Sequence, residues 1–155
     1  MSIFRSPSSR QLAIGLTLLR VILGFIFLMH GGQKLFVYGF AGVSGAFAQM
    51  GVPLPSVLGP FIALVEFLGG IALVLGLLTR LAALGLAANM VVAILTVHIK
   101  GGFFAPSGVE LPLSLLGAAL ALAFSGAGEF SLDAVVAQRG VRLTRRVVIP
   151  ALQAH

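Results

Sequence analysis

Residues 57–97 read VLGPFIALVEFLGGIALVLGLLTRLAALGLAANMVVAILTV. Two apolar runs, Val57 to Leu78 and Leu81 to Val97, are parted only by Thr79-Arg80. A helix needs ~20 apolar residues, with ~17 as a lower limit, to cross ~30 Å of hydrocarbon. Both runs meet that length, and two residues leave room only for a tight helical hairpin. Working outward, a third run spans Leu12 to Met29, and a shorter one spans Leu111 to Phe124. The pattern predicts an all-α membrane protein, a bundle of four transmembrane helices.

Composition agrees. The chain has 155 residues, of which 59% are hydrophobic and 9% charged. An ordinary soluble domain carries ~25% charged residues, so this chain cannot coat a water-facing surface. There is no cysteine, which excludes disulfides, thiolate metal sites and thiol redox relays. The net charge of +6 reports orientation and contact with anionic headgroups, not nucleic acid. Arg5, Arg10, Arg80, Arg139, Arg142, Arg145 and Arg146 fall on one side of the predicted spans, with only Lys34 and Lys100 on the other. Positive charge marks the cytoplasmic side, so both termini are expected inside. The first run is interrupted by Arg20 and no small-residue cleavage site follows directly, so it reads as a span and not a signal peptide. The chain divides into a cytoplasmic N-terminus (1–11), a membrane domain (12–134) and a basic cytoplasmic tail (135–155) resting on acidic headgroups.

The connections carry fewer signals. His30 to Ser56 is the longest outer loop, and within it Phe40–Met50 reads as a short helix at the interface. Ile99 to Gly108 forms the second outer loop.

Ionisable groups inside hydrocarbon are costly and are functional candidates by default. Arg20, Glu66 and Asn89 sit near the middle of the first three spans. With a rise of ~1.5 Å per residue, Arg20 lies ~15 Å below His30, Glu66 ~13 Å below Val57, and Asn89 ~13 Å below His98. That places all three in one layer and predicts an Arg20–Glu66 ion pair, whether as a structural staple or as part of a site. Small residues let membrane helices approach closely. Interior faces are therefore expected at Ala13, Gly24 and Gly31, at Gly69 and Gly70, at Ala82, Gly85 and Ala93, and at Ser114, Gly117 and Ala121. A second polar layer, His30, Gln33, Lys34, His98, Lys100 and Glu110, lies above the first and describes a funnel opening outward. His98 is nine residues from Asn89, about half a turn round on an ideal helix. The two share a face only if the helix ends or bends between them. No close His/Glu spacing supports a metal site.

These residues resemble a family. His30-Gly31-Gly32-Gln33-Lys34-Leu35-Phe36 is similar to the first signature of the DoxX family of small four-span membrane proteins. Glu66-Phe67-Leu68-Gly69-Gly70 with Leu75-Gly76-Leu77-Leu78-Thr79-Arg80 resembles its second. His98 to Phe103-Phe104, then Gly108, Glu110, Pro112 and Leu113, resembles its third, and Gly126-Ala127-Gly128 with Ser131-Leu132-Asp133 its close. The likeness covers residues 12–134 and omits the basic tail. It implies a bacterial or archaeal inner-membrane bundle. Members are associated with membrane oxidoreductase complexes, with quinone or thiol stress, and with sulfur oxidation beside a thiosulfate:quinone oxidoreductase.

Three functions follow as expectations. The first is a quinone-interacting or accessory subunit of a membrane oxidoreductase, with no covalent cofactor. There His30, Glu66 and His98 would handle protons, and Arg20, Lys34, Asn89, Lys100 and Glu110 would bind the headgroup. The second is a carrier or binding protein for a small anionic metabolite. The third is an anchoring or assembly subunit whose polar layer is structural. Expected partners are the bilayer, oxidoreductase subunits or further copies of the chain.

Overall fold

The computed structural model describes residues 6–139. Arg5, Arg142, Arg145 and Arg146, on which part of the charge asymmetry rests, lie outside the described residues. Five α-helices build the bundle among the described residues: α1 (Ser9–Gly32), α2 (Gly39–Gln49), α3 (Pro55–Leu75), α4 (Thr79–Ala93) and α5 (Glu110–Ser125), and residues 132–139 are helical as well. A π-helical turn, Gln33–Tyr38, extends α1. A second, Ile94–His98, extends α4 and leads into a 3-10 turn, Ile99–Gly101. Three segments are long and apolar enough to cross a membrane: α1 with its extension, α3, and α4 with its extension. The sixteen-residue α5 completes the four-helix bundle.

The helix starts have local causes. Ser8 caps α1, accepting from the Gln11 amide while the Gln11 side chain returns to the Ser8 amide. Pro55 opens α3, where a missing N–H costs nothing. The α3–α4 hairpin turns through Gly76 and Leu78, both at positive φ, 67° and 48°. Leu77 N–H returns to the Ala72 carbonyl and closes the end of α3. The start of α4 is capped from a distance. Both oxygens of Asp133 accept from the Leu78 and Thr79 amides, at 2.7 and 3.0 Å.

Close approach of α1 and α3 sets the frame. A Cβ on Gly31 would stand 2.3 Å from the Phe67 nitrogen, and one on Gly70 would stand 2.4 Å from the Leu28 nitrogen. The two backbones therefore touch, which only glycine permits. Leu23 and Phe27 of α1, Leu73 of α3, Leu86 and Met90 of α4, and Ala119 and Leu122 of α5 form the shared core.

Three expectations need correction. The face expected at Ala82, Gly85 and Ala93 of α4 does not point inward: Gly85 is exposed, and Ala83, Leu86, Ala87 and Met90 are buried instead. Gly31-Gly32 is not the start of a loop. Helical structure runs through it to Tyr38, as α1 and then the π turn, and the non-helical connection is residues 50–54, between α2 and α3. The Ser114–Gly117–Ala121 stripe does not face the interior: all three are exposed. Helix α5 instead buries Pro112, Ala119 and Leu122, because side chains filling the core decide its phase. The expected helix over Phe40–Met50 is present as α2, with Val43 as its buried contact.

Candidate functional site

The predicted Arg20–Glu66 pair does not form. Arg20, 2% exposed, donates through Nη1 to the Leu73 and Val74 carbonyls at 2.9 and 2.8 Å, and through Nη2 to the Phe130 carbonyl at 2.7 Å. Its cation sits at the C-terminus of α3, where unpaired carbonyls concentrate negative charge. Glycine suits position 76 there: its φ is 67°, and a Cβ would stand 2.6 Å from the Ser131 Cβ and 2.5 Å from Arg20 Nη1.

The depth argument sets His30 at the top of the first span, whereas helical structure continues through the π turn to Tyr38. Gly31, not Arg20, abuts Glu66 and Phe67. Eleven residues separate Arg20 from Gly31, about 16 Å along the helix. Arg20 thus belongs to the Arg10–Arg80 end of the bundle and leaves the candidate site.

Glu66, 4% exposed, is satisfied on both oxygens. Lys34 forms a salt bridge and hydrogen bond with Oε2, and Asn89 Nδ2 donates to Oε1 at 2.9 Å. Glu66 and Asn89 therefore share a layer, as their depths implied. Lys34 is expected from sequence in the outer polar layer, above Glu66. The helical continuation of α1 carries it inward, one turn past His30, with its side chain 23% exposed.

A cavity of about 200 Å³ adjoins this pair. His30, Lys34, Glu66 and His98 line it, together with Phe27, Met90, Leu111 and Leu115. His98 reaches it because α4 gives way to the π turn Ile94–His98. That wider turn rotates less per residue than an α-helix, which narrows the half-turn offset from Asn89. Its Nδ1 lies 3.1 Å from the Ser107 carbonyl. A carbonyl only accepts, so Nδ1 carries the hydrogen and Nε2 is the acceptor of the neutral ring. His30 is exposed at the cavity mouth.

The remaining two predicted residues fall elsewhere. Glu110 does not line the cavity; it opens α5 and accepts from the Ala105 amide at 2.7 Å, closing the 102–109 loop. Lys100 is exposed on the 3-10 turn and does not line the cavity. Reading from sequence missed Ser107, which acts only through its backbone, and Asp133, whose role depends on a fold-back to the hairpin.

Residues 15–99, more than half of the chain, match the DoxX family. The chain belongs to the DoxX family. It is 35% identical over 129 residues to a Bacillus subtilis protein named "Putative oxidoreductase CatD", covering 83% of this chain and 91% of that one. It is 32% identical to the Escherichia coli inner membrane protein YqjF, over 77% of this chain and 90% of the relative. Identity is 33% to the uncharacterized membrane protein Rv3486 of Mycobacterium tuberculosis, over 78% and 80%. No solved structure matches it. Family, relatives and helix lengths agree that this DoxX protein is a multi-pass protein of the inner membrane.

Proposed function

We propose that this DoxX protein is a quinone-interacting or accessory subunit of a membrane oxidoreductase system, with the quinone headgroup seated among His30, Lys34, Glu66 and His98. One observation carries the reading: a charge-balanced polar cluster set into an otherwise apolar cavity. A quinone head is a flat, uncharged ring with two carbonyl acceptors. It needs donors and apolar walls, and no counter-charge. Lys34 supplies a donor while Glu66 neutralises it. Phe27, Met90 and Leu115 offer apolar surface. The volume is below the ~300–1,000 Å³ of drug-sized pockets, which suits one ring whose tail lies outside. Glu66 and His98 are the groups that hold protons beside the head. The name of the Bacillus subtilis relative supports an oxidoreductase setting.

The same geometry argues against an anion carrier. Arg20 is committed to carbonyls at the opposite end, Lys100 does not line the cavity, and Lys34 is already paired.

Gentle extraction from native membranes, followed by solvent extraction and chromatography, tests the proposal. Near-stoichiometric quinone is expected in the unmodified protein. A Lys34→Met, Glu66→Gln double variant should fold and lose it. A protein that neither retains quinone nor takes it up when added overturns the reading. Full physiological activity in the double variant points to an anchoring role instead.

A further inference from the structure

Where α4 begins and α5 ends, at the end of the bundle away from the His30 mouth, a cleft of about 510 Å³ opens. Thr79, Arg80 and Asp133 line it, beside the exposed Leu78 and Leu81. Two spans terminate there, so the cleft lies at the level of the lipid headgroups.

Arg80 and Asp133 bring opposite charges to one cleft, yet they form no ion pair with each other; among the described residues only Lys34 and Glu66 do. Both are held in place. The Arg80 guanidinium packs on the turn after α5, where a Cβ on Gly126 would stand 3.2 Å from its Nε. Asp133 is fixed by the Leu78 and Thr79 amides, one on each oxygen. A carboxylate offers about four acceptor sites, so half of them stay open. Two further donors belong to lining residues and are unpaired. Thr79 is 0% exposed and its hydroxyl has no partner. Ala127 is buried as well, and its amide has no acceptor among the described residues. Buried donors left in that state are costly.

A cation with two donors, set in one cleft with a carboxylate, suits a ligand that carries both signs. A plain anion would meet Asp133 as a like charge, and a plain cation would meet Arg80. A phosphate diester accepts from Arg80, Thr79 and Ala127, while a protonated amine donates to Asp133. Leu78 and Leu81 give apolar surface to the glycerol and acyl part of a lipid. We propose that this cleft binds the headgroup of phosphatidylethanolamine, with its phosphate on Arg80 and its ammonium on Asp133. The proposal does not depend on what occupies the Glu66 cavity.

Native mass spectrometry of the full-length protein tests this, after release from nanodiscs of phosphatidylethanolamine, phosphatidylcholine and phosphatidylglycerol in equal parts with the same acyl chains. Phosphatidylethanolamine should be retained about ten-fold over either competitor, the scale of one charged hydrogen bond. Phosphatidylcholine has no ammonium hydrogens to donate, and phosphatidylglycerol has no cation. Arg80→Gln leaves the Asp133 cap untouched and should cut that retention about ten-fold. Asp133→Asn keeps an acceptor for one amide and should erase the preference over phosphatidylcholine. Should Asp133→Asn fail to fold, the three-lipid comparison and Arg80→Gln decide by themselves. Preferential retention of phosphatidylglycerol overturns the proposal in favour of a plain anion site on Arg80. Equal retention of the three lipids, or retention of phosphatidylethanolamine that Arg80→Gln does not change, overturns it as well.

Discussion

Glu66 holds Lys34 on one oxygen and Asn89 on the other, and Arg20 stands a helix segment away. Depth counted from one end of each helix cannot separate these arrangements, because it assumes where that end is. Mutational coupling can. Removing one partner of a buried ion pair costs about 3–5 kcal/mol. Glu66→Gln should destabilise toward the low end of that range, since the partly exposed Lys34 can extend toward the surface. Adding Lys34→Met to Glu66→Gln should recover much of the loss in Tm. Arg20→Gln should be destabilising by itself, leaving the Leu73, Val74 and Phe130 carbonyls without their donor. Combined with Glu66→Gln it should simply add, as distant sites do. Coupling between Arg20 and Glu66, or none between Lys34 and Glu66, would contradict the geometry.

At the scale of the element, the close crossing of α1 and α3 makes glycine substitutions discriminating. Gly31→Ala forces a methyl into the Phe67 backbone, and overpacking of this kind costs about 1–3 kcal/mol. Gly117→Ala meets nothing within 4 Å on α5 and should be neutral or stabilising by about 0.5–1 kcal/mol, from helix propensity. Thermal unfolding in detergent distinguishes the two; equal effects would mean that α1 and α3 are not in backbone contact. The α4 start offers a second case. Asp133→Ala removes the cap on the Leu78 and Thr79 amides and should lower stability by about 0.5–2 kcal/mol. Faster amide exchange at residues 78–80 is the local signature, and unchanged exchange there would refute the cap. These elements were legible to different degrees. The glycines facing α3 stood out because Ala13, Gly24, Phe27 and Gly31 recur at helical spacing and are all buried. The phase of α5 is not legible in the sequence, since small residues mark close approach only where a partner helix arrives.

For the whole molecule the open quantity is orientation. Arg10 and Arg80 sit at one end of the bundle and the cavity mouth at the other, and Lys34 is withdrawn into an ion pair. The outer surface then keeps only Lys100 as a free cation among the described residues, which sharpens the charge asymmetry. The absence of cysteine permits a clean assay. With a membrane-impermeant maleimide on intact cells, Gln49→Cys should be labelled and Glu129→Cys only after lysis. The reverse pattern would invert the molecule and turn the cavity toward the cytoplasm.

Sequence by itself determined the solvent, the spans, the hairpin and the family, because hydrocarbon length and backbone hydrogen bonding leave a membrane chain few options. It also supplied five of the polar residues that meet: His30, Lys34, Glu66, Asn89 and His98. Which cation joins Glu66 was decided only by tertiary structure. The register of α1 against α3 depends on glycine-to-backbone contact, and the reach of His98 depends on a π turn. Both are set by packing between helices, which the order of residues along one helix does not encode. Arg20 carries the same lesson in reverse: it is a buried charge whose partners are backbone carbonyls, present in every sequence and placed only by the fold.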